Sequence, residues 1–148
     1  MFCLLMAATA ASAQKNIDKV QSFLKECKYY QIATVDGDQP HVRPFGVAEI
    51  INGKLYIMTG KSKKVFQQMK KNGKFEICAV KPSGAEWIRI DGVLVIDEDT
   101  KTKQEILDRN PGLKGMYSAT DNNMALLYIK DGKATVSSFG GADQSFDF

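Results

Sequence analysis

Apolar positions change their period several times along this chain, and each change predicts an element. From Asn16 to Lys28, residues Ile17, Val20, Phe23, Leu24 and Cys27 recur at helical spacing, which predicts an amphipathic helix. Tyr30 to Val35 then reads as a strand closed by the turn pair Asp36-Gly37. His41 to Ile51 reads as a second strand, and Asn52-Gly53 predicts a tight hairpin into Lys54 to Thr59. A second helix is expected from Ser62 to about Asn72, with Val65, Phe66 and Met69 on one face. Strands follow at Phe75 to Val80 and Glu86 to Ile96, parted by Pro82-Ser83-Gly84. Thr100 to Arg109 reads as a helix stopped at Pro111-Gly112. Strands at Met124 to Lys130 and Lys133 to Phe139, joined by a turn at Asp131-Gly132, complete the pattern. The tail after Gly140-Gly141 reads as short and irregular.

Six or seven strands joined mostly by hairpins, with helices inserted between some of them, predict a mainly β chain of α+β type. The architecture is an antiparallel barrel with helices outside. There is no alternation of strand and helix and no Gly-x-Gly-x-x-Gly, which argues against a dinucleotide-binding crossover fold. The 148 residues suit one domain, placed at 15–148, behind an N-terminal apolar segment at 1–14.

Charge adds an exclusion. Twenty Lys and Arg against 17 Asp and Glu leave a net charge of +3, with no long basic stripe. Neither nucleic acid nor a membrane surface is called for as a partner. Cys3, Cys27 and Cys78 are dispersed and form no Cys-x-x-Cys pair. One histidine, His41, makes no metal cluster with them. Idle thiols in a reducing, cytoplasmic setting are the expectation. Against it stands Met1 to Ala13, an apolar run ending in Ala-Ser-Ala, which has the look of a secretory signal but no basic residue ahead of it. A periplasmic or secreted form stays open beside the cytoplasmic one. The run is too short to span a bilayer.

Candidate chemistry concentrates in two stretches. In Thr59-Gly60-Lys61-Ser62-Lys63-Lys64, Ser62 is positioned to cap the second helix, and three lysines crowd its positive end. Cations there cost about 0.3–1 kcal/mol each when exposed, a penalty that a bound phosphate reverses. A solvated basic face is the other reading. In His41-Val42-Arg43-Pro44-Phe45-Gly46, alternation puts His41, Arg43 and Phe45 on one face. Arg43 offers a bidentate arm to a phosphate, while Pro44 interrupts the ladder beside a space for a flat ligand. An edge strand with a surface arginine is the alternative. Taken together, the two stretches favour a phosphate-bearing ligand.

These residues resemble the pyridoxamine 5′-phosphate oxidase-like family of FMN-binding split barrels, especially its short branch similar to general stress proteins and nitroimidazole reductases. The likeness runs from about Asn16 to Gly140. It rests on Phe23-Leu24, Ile32-Ala33-Thr34-Val35, Val42-Arg43-Pro44-Phe45, Leu55-Tyr56-Ile57-Met58-Thr59, Ser62-Lys63-Lys64 and Trp87-Ile88-Arg89-Ile90-Asp91-Gly92, in that order.

The resemblance implies FMN as cofactor and a homodimer with flavin sites at the subunit interface. Arg43, Ser62, Lys63 and Lys64 match family positions that hold the FMN phosphate. Pro44, Phe45, Gly46 and Val47 match the strand whose backbone lies along the isoalloxazine. Met58 and Thr59 match a flavin-contacting strand end, and Trp87 matches a position that reaches the partner's flavin. The implied function is an FMN-dependent oxidoreductase acting on a small organic substrate. A flavin also accounts for the shortage of catalytic side chains, since the ring carries the redox chemistry. The acidic run Asp97-Glu98-Asp99 is expected to cap a helix. The alternative is a flavin- or haem-binding protein without turnover, with His41 as the haem candidate. The chain departs from the vitamin B6 oxidase itself, because its tail, Gly140 to Phe148, carries no base to clamp that substrate's phosphate.

Overall fold

The computed structural model describes residues 2–148, with side chains from Ala11 onward. Helix α1 (Phe2–Cys27) is followed by strands β1 (Tyr30–Asp36), β2 (Gln39–Phe45), β3 (Glu49–Ile51) and β4 (Lys54–Gly60). Helix α2 (Lys64–Lys71) leads into β5 (Lys74–Val80) and β6 (Glu86–Asp97). Helix α3 (Thr100–Arg109) and a 3₁₀ turn at Pro111–Leu113 precede β7 (Met124–Ser138) and β8 (Gln144–Asp147). α1 runs without a break through residue 14, where the sequence suggested a boundary. The signal-like character of Met1 to Ala13 rests largely on side chains at 1–10 that lie outside those described. Among the described residues no helix is long and apolar enough to cross a membrane.

The strands form one antiparallel sheet in the order β2-β1-β5-β6-β7-β4-β3, with β8 added against β7. Its ends are β2 and β3, consecutive in the chain, so the sheet is an unclosed barrel whose seam is crossed by residues 46–48. The seam divides what the sequence suggested was one strand from His41 to Ile51. Contrary to the expectation from sequence, Pro44 does not interrupt the ladder: it stands opposite Gln31 within it, and the chain leaves β1 only after Phe45, to pair with β4 from Glu49 onward. The Tyr30 hydroxyl holds the crossing by donating to the Val47 carbonyl at 2.5 Å. Buried on all sides, that phenol has its pKa pushed far above the usual tyrosine range.

Two other expectations change, which brings the strand count to eight. Asp131-Gly132 is a bulge inside the single long β7 and not a hairpin turn. Asp131 takes φ +52°, and the β6–β7 register shifts between Asp91 and Val93, so one residue of β6 faces two of β7. β6 runs from Glu86 to Asp97, long enough to pair with both halves of β7, so nothing forces the chain back. The tail is the other change. Phe146 and Phe148, two residues apart, both turn toward the core, and Gln144–Asp147 pairs as β8 with Lys133–Val136. By contrast, the Asn52-Gly53 hairpin forms as read, both residues taking positive φ.

Two apolar clusters fill the molecule. The larger joins Ile32, Ile57, Ile77, Ile90 and Leu127 of the sheet with Ile17, Val20 and Leu24 of α1 and Val65, Phe66 and Met69 of α2. The smaller gathers Val47, Tyr56, Met58, Ile106, Leu107, Met124 and Leu126 on the other side of β4 and β7. Successive residues of these two strands alternate between the clusters, so both of their faces are buried. Their sequences, Leu55 to Met58 and Met124 to Ile129, accordingly lack the polar alternate of a half-exposed strand.

Candidate functional site

A cleft of about 480 Å³ opens over the smaller cluster, at the seam of the barrel. One wall is the crossing itself, Pro44, Phe45, Gly46 and Val47, and its floor is Met58 and Thr59 of β4. Lys63 stands at one end. The opposite wall is Asn110, Leu113, Met116 and Tyr117 from the connection after α3, and Tyr29 borders the mouth.

The sequence placed Pro44, Phe45, Gly46, Val47, Met58, Thr59 and Lys63 together, and the structure brings all of them to this cleft. Arg43, Ser62, Lys64 and Trp87 do not line it. Arg43 shares the inward face of β2 with Phe45, as alternation required, and its guanidinium donates to the Thr34 hydroxyl at 3.1 Å. Thr34 in turn donates to the Gln68 side chain at 2.8 Å. This relay ends on α2, one helical turn from Lys64. Lys64 borders a separate groove with Asp36, Gln67 and Lys71. Trp87 lies half-buried on β6 with its ring edge-on to Phe139, the centroids 5.2 Å apart.

Ser62 does not cap α2. The N-cap residue is Lys63, and no side chain bonds there. Asn123 grips the preceding turn instead. Its carbonyl accepts from the Lys61 amide at 2.7 Å and its side-chain oxygen from the Ser62 amide at 3.1 Å. The Lys63 amide closes onto the Gly60 carbonyl at 3.0 Å. Three amides of this turn are thereby spent within the protein and are not offered to an anion. Those of Lys64 and Val65, in the first turn of the helix, have no acceptor among the described residues.

The three lysines part company as well. Lys61 pairs with Glu98 at 2.8 Å, and Glu98 also binds the buried Lys103 at 2.6 Å. Partial burial opposes ionisation of Glu98, but hydrogen bonds from Lys103 and Lys61 outweigh it and hold the carboxyl below its usual range. Lys63 has no ion-pair partner among the described residues and faces the cleft. The run Lys61, Lys63, Lys64 therefore supplies one structural ion pair, one cleft cation and one cation on the neighbouring groove. Of the acidic run, Asp99 alone caps α3, accepting from the Thr102 amide at 2.8 Å, while Glu98 holds the two lysines and Asp97 accepts from the Tyr56 hydroxyl.

The wall after α3 escaped the sequence reading. It is anchored by Glu49, a carboxylate with 6% of its side chain exposed that binds Lys25 of α1 at 3.0 Å and the Asn110 side chain at 3.3 Å. Asn110 also donates to the Ile106 carbonyl at 2.9 Å. The signal available was Met116-Tyr117, a large apolar pair within a polar, turn-rich stretch. His41 lies half-buried on the inward face of β2 and does not border the cleft. Cys27 and Cys78 are free, half-buried thiols with pKa raised chiefly by burial. Neither borders the cleft.

Comparison with known proteins agrees with this geometry. The family model described as pyridoxamine 5′-phosphate oxidase matches residues 17–130. A NimC/NimA family protein from Clostridium acetobutylicum is 39% identical and superposes with a TM-score of 0.90, over 94% of this chain and 96% of its own. A pyridoxamine 5′-phosphate oxidase-related, FMN-binding protein from Nostoc punctiforme shares the fold at 16% identity and TM-score 0.59, covering 97% and 95%. A heme binding protein from Mycobacterium smegmatis does so at 11% identity and TM-score 0.71, covering 88% of this chain and 57% of its own. No curated protein matches. With the family model spanning most of the barrel and a 39% identical structure matching nearly end to end, the chain belongs to the pyridoxamine 5′-phosphate oxidase-like family of split barrels.

Proposed function

We propose that the seam cleft binds FMN and that the protein is a flavin-dependent oxidoreductase for a small organic substrate, working as a homodimer. One observation carries this reading. A groove within the ordinary ligand-site range of about 300–1,000 Å³ has a backbone wall at Pro44 to Val47, an apolar floor at Met58 and an uncompensated ammonium, Lys63, at one end. That donor set fits a flat apolar ring carrying a distal phosphate.

In this reading Lys63 and the free amides opening α2 hold the phosphate, with Arg43 and Lys64 adding positive potential from the flank. Phe45, Val47 and Met58 exclude water from one face of the ring, and the backbone at Gly46 can approach it closely. Bound FMN supplies hydride or electron transfer. Leu113 and Met116 leave an apolar surface on the open side, where a small flat substrate fits. The outer face supports a second copy: Val80 and Phe139 are 51% and 79% exposed and flank Trp87, while Tyr29, at the cleft mouth, is 70% exposed. An isologous contact would bring Trp87 toward the partner's cleft.

The test is titration of purified protein with FMN and with riboflavin, followed by absorbance, with sedimentation on the same samples. Preference for FMN and a dimer are expected. Equal affinity for the two flavins sinks the phosphate assignment, and a monomer that binds FMN tightly sinks the interface. A Soret band in the purified protein would favour the haem alternative.

A further inference from the structure

The basic end of the cleft contains one polar group that neither the fold nor the matched motifs account for. Tyr117, in the connection between the 3₁₀ turn and β7, lines the cleft half-buried. Its amide donates to the Leu113 carbonyl at 3.0 Å, but its hydroxyl has no hydrogen-bond partner among the described residues. The hydroxyl is placed closely. A methyl group added at Gly60 would stand 3.2 Å from the phenol oxygen and 3.4 Å from the Asn123 side chain. The phenol thus lies over the end of β4, beside the turn in which the Lys63 amide meets the Gly60 carbonyl. The absence of a side chain at Gly60 makes room for it.

The connection is held rigidly enough to aim a donor. Asp121 accepts from the amides of Ser118, Asn123 and Met124 at 2.7–2.8 Å, and Asn123 then grips the Lys61–Ser62 turn. The same loop therefore positions both the phenol and the turn that carries Lys63. A partly buried phenol without a partner loses its water when a ligand fills the cleft, so the ligand must replace that hydrogen bond or leave the group unsatisfied.

We infer that Tyr117 is a ligand-binding residue whose hydroxyl donates to the phosphate of FMN beside the Lys63 ammonium. This rests on the reading of the cleft as a flavin site, and the experiment separates the two. Tyr117→Phe keeps the ring and removes only the donor, so fold and thermal midpoint should hold. Its affinity for FMN should fall about tenfold, the scale of a hydrogen bond to a charged group, while affinity for riboflavin stays within about twofold. Unchanged FMN affinity, or an equal loss for both flavins, overturns the role of Tyr117. Wild-type protein without FMN preference would instead overturn the site reading itself. Gly60→Ala offers an independent check, because its methyl crowds the hydroxyl and leaves the ring in place. It should reproduce the FMN-selective loss, and a loss equal for both flavins counts against the assignment.

Discussion

The two apolar clusters on either side of β4 and β7 do different work. In the larger one, Ile32, Ile57, Ile77, Ile90 and Leu127 are 0% exposed, and the α1 and α2 side chains that complete it are aliphatic or aromatic without polar tips. The smaller one holds Tyr56, whose hydroxyl donates to Asp97 at 2.8 Å, and it is bordered by Tyr117 and Tyr128. Its members Val47 and Met58 also line the cleft. The larger cluster meets the cleft only through Phe45, whereas Val47 and Met58 of the smaller one both line it. Packing energy is concentrated in the first, and the second gives up part of its closure to the cleft.

Substitutions should separate the two. Leu127→Ala, in the larger cluster, is expected to cost about 2–5 kcal/mol in denaturant unfolding and to leave the flavin affinity of the folded fraction unchanged. Met58→Ala should cost less, because a residue at the edge of a groove already lacks neighbours on one side, yet it should alter flavin affinity and fluorescence. If Leu127→Ala changes affinity as strongly as Met58→Ala, the clusters are not separable.

Smaller effects test the polar end. Lys63→Ala is expected to weaken FMN binding by about 1.5–3 kcal/mol, roughly ten- to a hundredfold. Lys64→Ala should weaken it less, since Lys64 faces the adjacent groove, and added salt should shrink both losses. Trp87→Ala should keep the preference for FMN over riboflavin and change the ring environment or the sedimentation. A Lys64→Ala loss exceeding that of Lys63→Ala would move the phosphate around α2, toward Arg43.

The smallest effect is one of pH. Glu98 has a lowered folded-state pKa, so its contribution is present above its unfolded value and is lost as pH falls through the folded one. Thermal midpoints of the wild type should therefore drop on acidification below the ordinary carboxylate range, and Glu98→Gln should flatten part of that drop. An identical slope in the two proteins would assign the acid sensitivity to other carboxylates.

What the residues determine by themselves is local. The period of Ile17, Val20 and Leu24 makes α1, Asn52-Gly53 makes the β3–β4 hairpin, and Asp99 caps α3, because each depends on neighbours within a few positions. The unbroken apolar runs in β4 and β7 likewise show two buried faces. The motifs that carry the family resemblance also gave most of the cleft, from Pro44 to Val47 and at Met58, Thr59 and Lys63. Tertiary structure decided the rest. Asp131-Gly132 suits a turn or a bulge equally well, and only the length of β6 selects the bulge. Ser62 is a good cap by type, yet its amide is held by Asn123, 61 residues away, and the N-cap falls at Lys63. Lys61, Lys63 and Lys64 are chemically alike, and Glu98 alone removes the first from the cleft. The pair Met116-Tyr117 marks the connection as unusual but not as part of a site, because the Tyr117 hydroxyl meets the end of β4 only when the connection folds back over it.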